Sequence, residues 1–100
     1  MDQYLIYSGP HKLFGGKSLI FRFPNDWGAS IVRHQASKGG KEGFWEVGLI
    51  SFPYKDGNNF YIRLDTDLMS ETQGYQFIDE AVNWLGRIKD LPQATHEEEN

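Results

Sequence analysis

The sequence predicts an α+β domain: an antiparallel β-sheet of four to five strands with one C-terminal α-helix packed on one face. Three observations carry that expectation. Short runs rich in aromatic and β-branched residues follow one another through residues 4–65, separated by Pro, Gly, Asn and Asp turn signals. Residues 75–90 then change to a helical period. A chain of 100 residues, 15% of them aromatic, has the length of one domain and the side chains for one modest core.

The strands can be justified in order. Residues 4–8, "YLIYS", form a short candidate ended by Gly9-Pro10, and residues 17–23, "KSLIFRF", a stronger one. Pro24-Asn25-Asp26-Trp27-Gly28 is turn chemistry: Pro presets φ, Asn and Asp bond their own backbone, and Gly accepts positive φ. Residues 29–34, "ASIVRH", return as the partner strand, followed by the polar, Gly-rich loop "QASKGGKEG". Residues 44–52, "FWEVGLISF", are the longest strand, stopped by Pro53. "YKDGNN" signals a second hairpin with Asp56-Gly57 at its tip, and residues 60–65, "FYIRLD", complete the meander. Phe60, Ile62 and Leu64 alternate with Tyr61, Arg63 and Asp65, while Leu19, Phe21 and Phe23 alternate with Ile20 and Arg22. Such alternation suits a sheet covered on one face.

The cover is the helix expected over residues 75–90, "YQFIDEAVNWLGRIKD". Ser70, Glu71 and Thr72 offer N-caps, and Leu91-Pro92 stops it. Phe77, Ile78, Ala81, Val82, Trp84, Leu85 and Ile88 spread over an arc of about 160°, wider than the ~100° that docking needs. Either the sheet wraps around the helix, or Trp84 or Val82 lies at a rim open to a second molecule.

Composition narrows the function. There is no Cys, which removes disulfides, thiolate catalysis and Cys-based zinc sites, and favours an intracellular, cytoplasmic home for so small a domain. No signal peptide and no apolar run long enough for a membrane span are visible. Formal net charge is −4, but three of the acids are Glu97, Glu98 and Glu99, so the globular part is close to neutral. That argues against both a general affinity for nucleic-acid backbones and a DNA mimic. The expected organisation is one domain over residues 1–92 and an acidic, disordered tail over 93–100.

No pattern announces a reaction. "GGKS" at 15–18 has the end of a phosphate-binding loop, but His11 stands where its first Gly belongs and a strand pattern follows instead of a helix. His11, His34 and His96 lack a second ligand at helix or finger spacing, so no metal site is expected. Ser30 is not in a nucleophile elbow. Asp65 with Asp67 and Asp79 with Glu80 lack the apolar surroundings that tune a carboxylate for acid–base work. No catalytic residue and no cofactor is assigned, and the chain reads as a non-enzyme. Arg33, His34, Lys38 and Lys41, with Trp27 and Trp45 near in sequence, outline a weak basic patch. Trp27, at a turn tip, either folds back on the sheet or is an exposed anchor for a partner.

The stretch "FRFPNDWGASIV" resembles a segment of a small uncharacterised bacteriophage protein family that reads aromatic-x-Phe-Pro-Asn-Gly-Tyr-Gly-Ala-Ser-Val-Val. Phe21, Phe23, Pro24, Asn25, Gly28, Ala29, Ser30 and Val32 fall on its positions, Ile31 is a mild swap, and Trp27 stands where Tyr is usual. Asp26 departs from it by replacing the first turn Gly. "GFWEVGLI" at 43–50 is similar to the family's Gly-Leu-Trp-Glu-Val-Ala-Val strand, and Thr66-Asp67 through Leu91-Pro92 looks like its closing helix. The resemblance covers roughly residues 19–92 and brings no catalytic residue with it.

What the resemblance implies is a phage origin. Small phage proteins of this kind often bind a host protein, including components of defence systems such as CRISPR or restriction. The expectation is therefore a phage accessory protein that binds a host protein in the host cytoplasm, as monomer or homodimer. Its contact residues are expected among Asn25, Asp26, Trp27, Arg33, Lys38, Lys41 and Trp84. A nucleic-acid or nucleotide-binding module using the basic patch and a homo-oligomeric structural protein stand as the alternatives.

Overall fold

The computed structural model describes residues 1–95 and has the expected class: a six-stranded antiparallel sheet with one helix across one face. The strands are β1 (Leu5–His11), β2 (Gly15–Arg22), β3 (Trp27–Arg33), β4 (Trp45–Ser51), β5 (Tyr61–Ile62) and β6 (Gln73–Gln76), and the helix is α1 (Ile78–Lys89). The order is β1-β2-β3-β4-β5. The second edge of β4 is shared: β5 pairs with Ile50 and Ser51, β6 with Trp45 and Val47.

The β2–β3 hairpin shows why the opening motif folds as it does. The Asp26 N–H donates to the carbonyl of Phe23 and the Phe23 N–H to that of Trp27, closing a three-residue loop. Such loops end in a left-handed residue, and Asp26 supplies it with φ 60°. Asp tolerates that conformation better than most side chains, so it serves where the resembling segment has Gly. The loop then docks on the helix. The Asn25 side-chain amide donates to the carbonyls of Ile88, Lys89 and Leu91 at 3.2, 3.1 and 2.9 Å. Ile88 and Lys89 end the helix and Leu91 lies just beyond it, where carbonyls run out of intrahelical donors.

The main core lies between sheet and helix. Phe21 and Phe23 from β2 and its exit, Ala29 and Ile31 from β3, and Val47 and Leu49 from β4 meet Ala81, Leu85 and Ile88 of α1, with Met69 closing the side. All are buried, and Trp27, Trp45 and Trp84 pack around the margin.

Two expectations need correcting. The strand expected over 60–65 shrinks to two residues, and Phe60, Ile62 and Leu64 are exposed rather than turned to the core. Tyr61 and Ile62 pair with β4 and the Arg63 N–H donates to the Leu49 carbonyl at 2.8 Å, while β6 occupies the other half of that edge. The helix begins at Ile78, and its N-cap is Phe77, whose N–H donates to Glu80 Oε1 at 2.8 Å; Ser70, Glu71 and Thr72 lie upstream of β6. Tyr75, at φ 54°, breaks the helical path expected from residue 75. Of the two readings of the wide apolar arc the structure takes the open rim at Val82: Phe77, Ile78 and Val82 are exposed, Val82 by 48%.

The chain past the helix is held down at first. Ala94 is buried and its N–H donates to the carbonyl of Asn25 at 2.8 Å, within the stretch expected as tail. Residues 96–100, including the three Glu, lie outside the described residues.

Candidate functional site

The face of the sheet away from α1 has no second layer over it among the described residues. Register decides what it displays. Ser18 pairs with Val32, Ile20 with Ser30, Ser30 with Gly48 and Ile50 with Ile62, so these residues share the open side. Ile20, Ile50 and Phe52 form a second, small buried cluster there. Above it lies a groove of about 630 Å³. Small Ser18 and Ser30 give it depth. One wall is Ile6, Tyr7 and the β1–β2 turn through Leu13; the other is Asn58, Phe60 and Ile62. Leu13 is 82% exposed and Ile62 49%, so apolar surface rims the groove as well as lining it.

Both walls are fastened by polar side chains. The Arg22 guanidinium lies 4.5 Å over the Phe52 ring and pairs with Asp26 at 2.8 Å. It also donates to the carbonyls of Gly57 and Tyr54 at 2.6 and 3.0 Å and to Asn58 Oδ1 at 3.0 Å. One side chain therefore ties the loop over 53–60 to the β2–β3 hairpin, and Phe60 rests against Phe52 with ring centroids 5.8 Å apart.

The opposite wall is built on a ring cluster. His11, Phe14 and His34 lie in mutual contact, with centroids 4.7 Å apart for the two imidazoles and 5.3 and 4.9 Å from Phe14 to His11 and His34. His11 Nδ1 accepts the N–H of Leu13 and of Phe14, and His34 Nδ1 accepts that of Ala36 at 3.1 Å. With Nδ1 acting as acceptor, a neutral ring carries its proton on Nε2, the wrong tautomer for binding a metal through that nitrogen. Burial lowers the His34 pKa below its usual 6.5, the His11 charge lowers it further, and Glu46 acts in the opposite direction. Among the described residues no group of three metal-ligating side chains exists, and no helix is long and apolar enough to cross a membrane.

The sequence-predicted contact residues do not form one site. Asn25, Asp26 and Trp27 sit at one end of β3. Arg33 is at the other end, about 20 Å away at the usual strand rise. Asn25 caps the helix, as above. The Trp27 indole N–H donates to the Pro92 carbonyl at 2.9 Å, and Arg63 stacks on its ring at 5.0 Å. Trp27 thus folds back on the body, half-buried. At the far end Arg33 lies 4.5 Å over Trp45, and Lys38 Nζ donates to the Thr72 carbonyl at 3.1 Å. Lys41 is exposed on a 3-10 turn over Gly40–Glu42. Trp84 is half-buried: its N–H donates to Gln76 Oε1 at 3.2 Å and Arg87 covers its ring at 4.3 Å.

The groove residues were missed because the strands were read as one-sided. The available signal was the continuous apolar run of "SLIF" and "VGLISF", which has apolar side chains for both faces. The pairing of His11 with His34 had no local signal, since the two are brought together only by the β1–β2–β3 register. No protein-family model, curated protein or solved structure matches this chain.

Proposed function

We propose that this chain is a binding protein that takes a partner protein on the open face of its sheet. The observation that carries the reading is the apolar groove of about 630 Å³ between the β1–β2 turn and the 58–62 wall, floored by a buried cluster separate from the main core. A contiguous apolar patch on a small domain is costly to leave in water and marks an interaction site.

The edges of the sheet support a face rather than an edge as the contact. β1 carries Pro10 and two register irregularities, between Leu5 and Tyr7 and between Gly9 and His11. β5 is only two residues long. Prolines, bulges and short edge strands are the devices that discourage strand addition. The resemblance described above extends the proposal: a phage accessory protein whose partner is a host protein, a component of a defence system being one such class.

The test is capture from host lysate with the wild-type chain, Leu13→Asp and Ile62→Asp, together with Lys41→Ala as a control away from the groove. The expected result is one stoichiometric protein retained by wild type and the control and lost by both groove variants. Retention by the groove variants, with loss on changing Lys41, would move the contact to the basic loop. Sedimentation of wild type as a dimer and of both groove variants as monomers would make the face a self-contact instead.

A further inference from the structure

The turn between β1 and β2 forms one wall of the open face, and two histidines hold it. His11 closes the turn from within by accepting the amides of Leu13 and Phe14 on Nδ1. His34, just past β3, stacks on Phe14 and lies tilted against His11, while its own Nδ1 accepts the Ala36 amide. Each of these three amide hydrogen bonds needs a bare Nδ1 as its acceptor. A protonated ring has no lone pair at Nδ1, so it can no longer accept an amide. Two protonated rings with centroids 4.7 Å apart also repel.

The surrounding charges do not cancel this. Glu46 of β4 is the acid that acts on His34, but its carboxylate already accepts the Lys38 amide and the Thr72 hydroxyl. Lys12 lies in the turn itself and adds positive charge there. Lys17 and Arg33 share a register pair on the other side of the sheet, where Lys17 donates to Ser8 Oγ and Arg33 covers Trp45. Gly15 and Gly16, where the turn enters β2, both hold positive φ, 67° and 65°. At Gly16 a Cβ would run into the Arg33 carbonyl and His34, so the turn is seated tightly against β3 only while this geometry lasts.

We propose that residues 11–14 form a pH-sensitive wall of the open face, closed while His11 and His34 are neutral and released when they take up protons. The movement is a property of the free chain. Its consequence, a face that binds near neutral pH and loosens its grip in acid, rests on the binding reading above.

The experiment is amide hydrogen exchange and imidazole ¹⁵N NMR on the full chain between about pH 7.5 and about pH 5, where histidines titrate. The expected result is Nδ1 as the bare nitrogen of both rings at the upper pH. At the lower pH, protection of the Leu13, Phe14 and Ala36 amides, corrected for intrinsic exchange, falls about tenfold, the effect of one lost hydrogen bond. Val47, in the middle of β4, keeps its protection. Glu46→Gln removes the charge that favours protonated His34, so the Ala36 transition moves to lower pH. Protonated Nδ1 at the upper pH, unchanged protection at residues 13, 14 and 36 while the rings protonate, or a transition that moves up in Glu46→Gln would each overturn the proposal. If the wall responds as expected and the groove variants still capture the partner, the binding reading fails and the pH response stands.

Discussion

The two faces of one sheet are covered differently. On the helix side, side chains of β2, β3 and β4 interlock with Ala81, Leu85 and Ile88 of α1, and Val47, Leu49 and Ile88 have no exposure at all. On the other side, three buried residues are ringed by exposed apolar ones. The strands are the same; what differs is whether a second layer arrives. The comparison teaches that one set of strands can build a core on one face and leave apolar surface uncovered on the other. The helix face holds the fold together, and the open face keeps apolar surface that the fold does not need covered in order to form.

The sharpest way to break that comparison is truncation on each side. Phe23→Ala, deep in the helix-side core, is expected to cost about 3–5 kcal/mol in denaturant unfolding. Leu13→Ala on the open face should stay within about 0.5 kcal/mol of wild type, as exposed substitutions do. If Leu13→Ala destabilised as much as Phe23→Ala, the open face would be a core and not a contact surface.

Next in size is the joint between hairpin and helix. Asn25→Ala leaves three carbonyls without their amide donor, and a loss of about 1–3 kcal/mol is expected, read as a lower urea midpoint. Arg22→Ala should cost about 1–2 kcal/mol, with the effect concentrated elsewhere. It would free the loop over 53–60, seen as faster amide exchange there, and weaken partner capture while leaving the helix intact.

The smallest effect comes from an exposed pair. The Arg63 guanidinium, hydrogen-bonded to Asp65 at 2.8 and 3.0 Å, lowers the Asp65 pKa below its usual 3.8. Folding therefore favours the carboxylate. Its contribution is full above 3.8 and disappears as pH falls through the lower folded value. Asp65→Asn should lower the urea midpoint slightly at neutral pH, with the difference from wild type vanishing at the acid end. His34 has the same sign at a higher window: folding favours its neutral form, so stability falls as pH drops below 6.5 and levels off beneath the folded value.

Much of the fold was legible in the residues. Pro24, Asn25 and Gly28 mark the hairpin, Pro53 ends β4, and the period of Ala81, Leu85 and Ile88 gives the helix and its buried stripe. The short β6 strand was not legible, because "GYQFIDEAV" continues the helical pattern backwards and only the left-handed Tyr75 interrupts it. The candidate site was the least legible part. Trp27, at a turn, allowed either an exposed anchor or a ring folded back on the sheet, and the partners that decide for the latter, Arg63 and Pro92, lie far along the chain. Groove residues such as Ile6, Leu13 and Phe60 have no motif; they meet only through strand register and the hold of Arg22 on a loop about thirty-five residues later.

The amide of Asn25 has one more implication. A helix of 12 residues is marginal by itself in water. The last carbonyls of this one are completed by a side chain 63 to 66 positions earlier. The final turn is expected to gain its full set of partners only once the β2–β3 hairpin, which closes from neighbours in the chain, is in place to receive it. Folding should run from hairpin to helix end, and unfolding should release both together. The β2–β3 hairpin and the end of the helix would then melt as a single cooperative unit, with Ile88 and Asp90 amides exchanging no faster than those in the middle of the sheet.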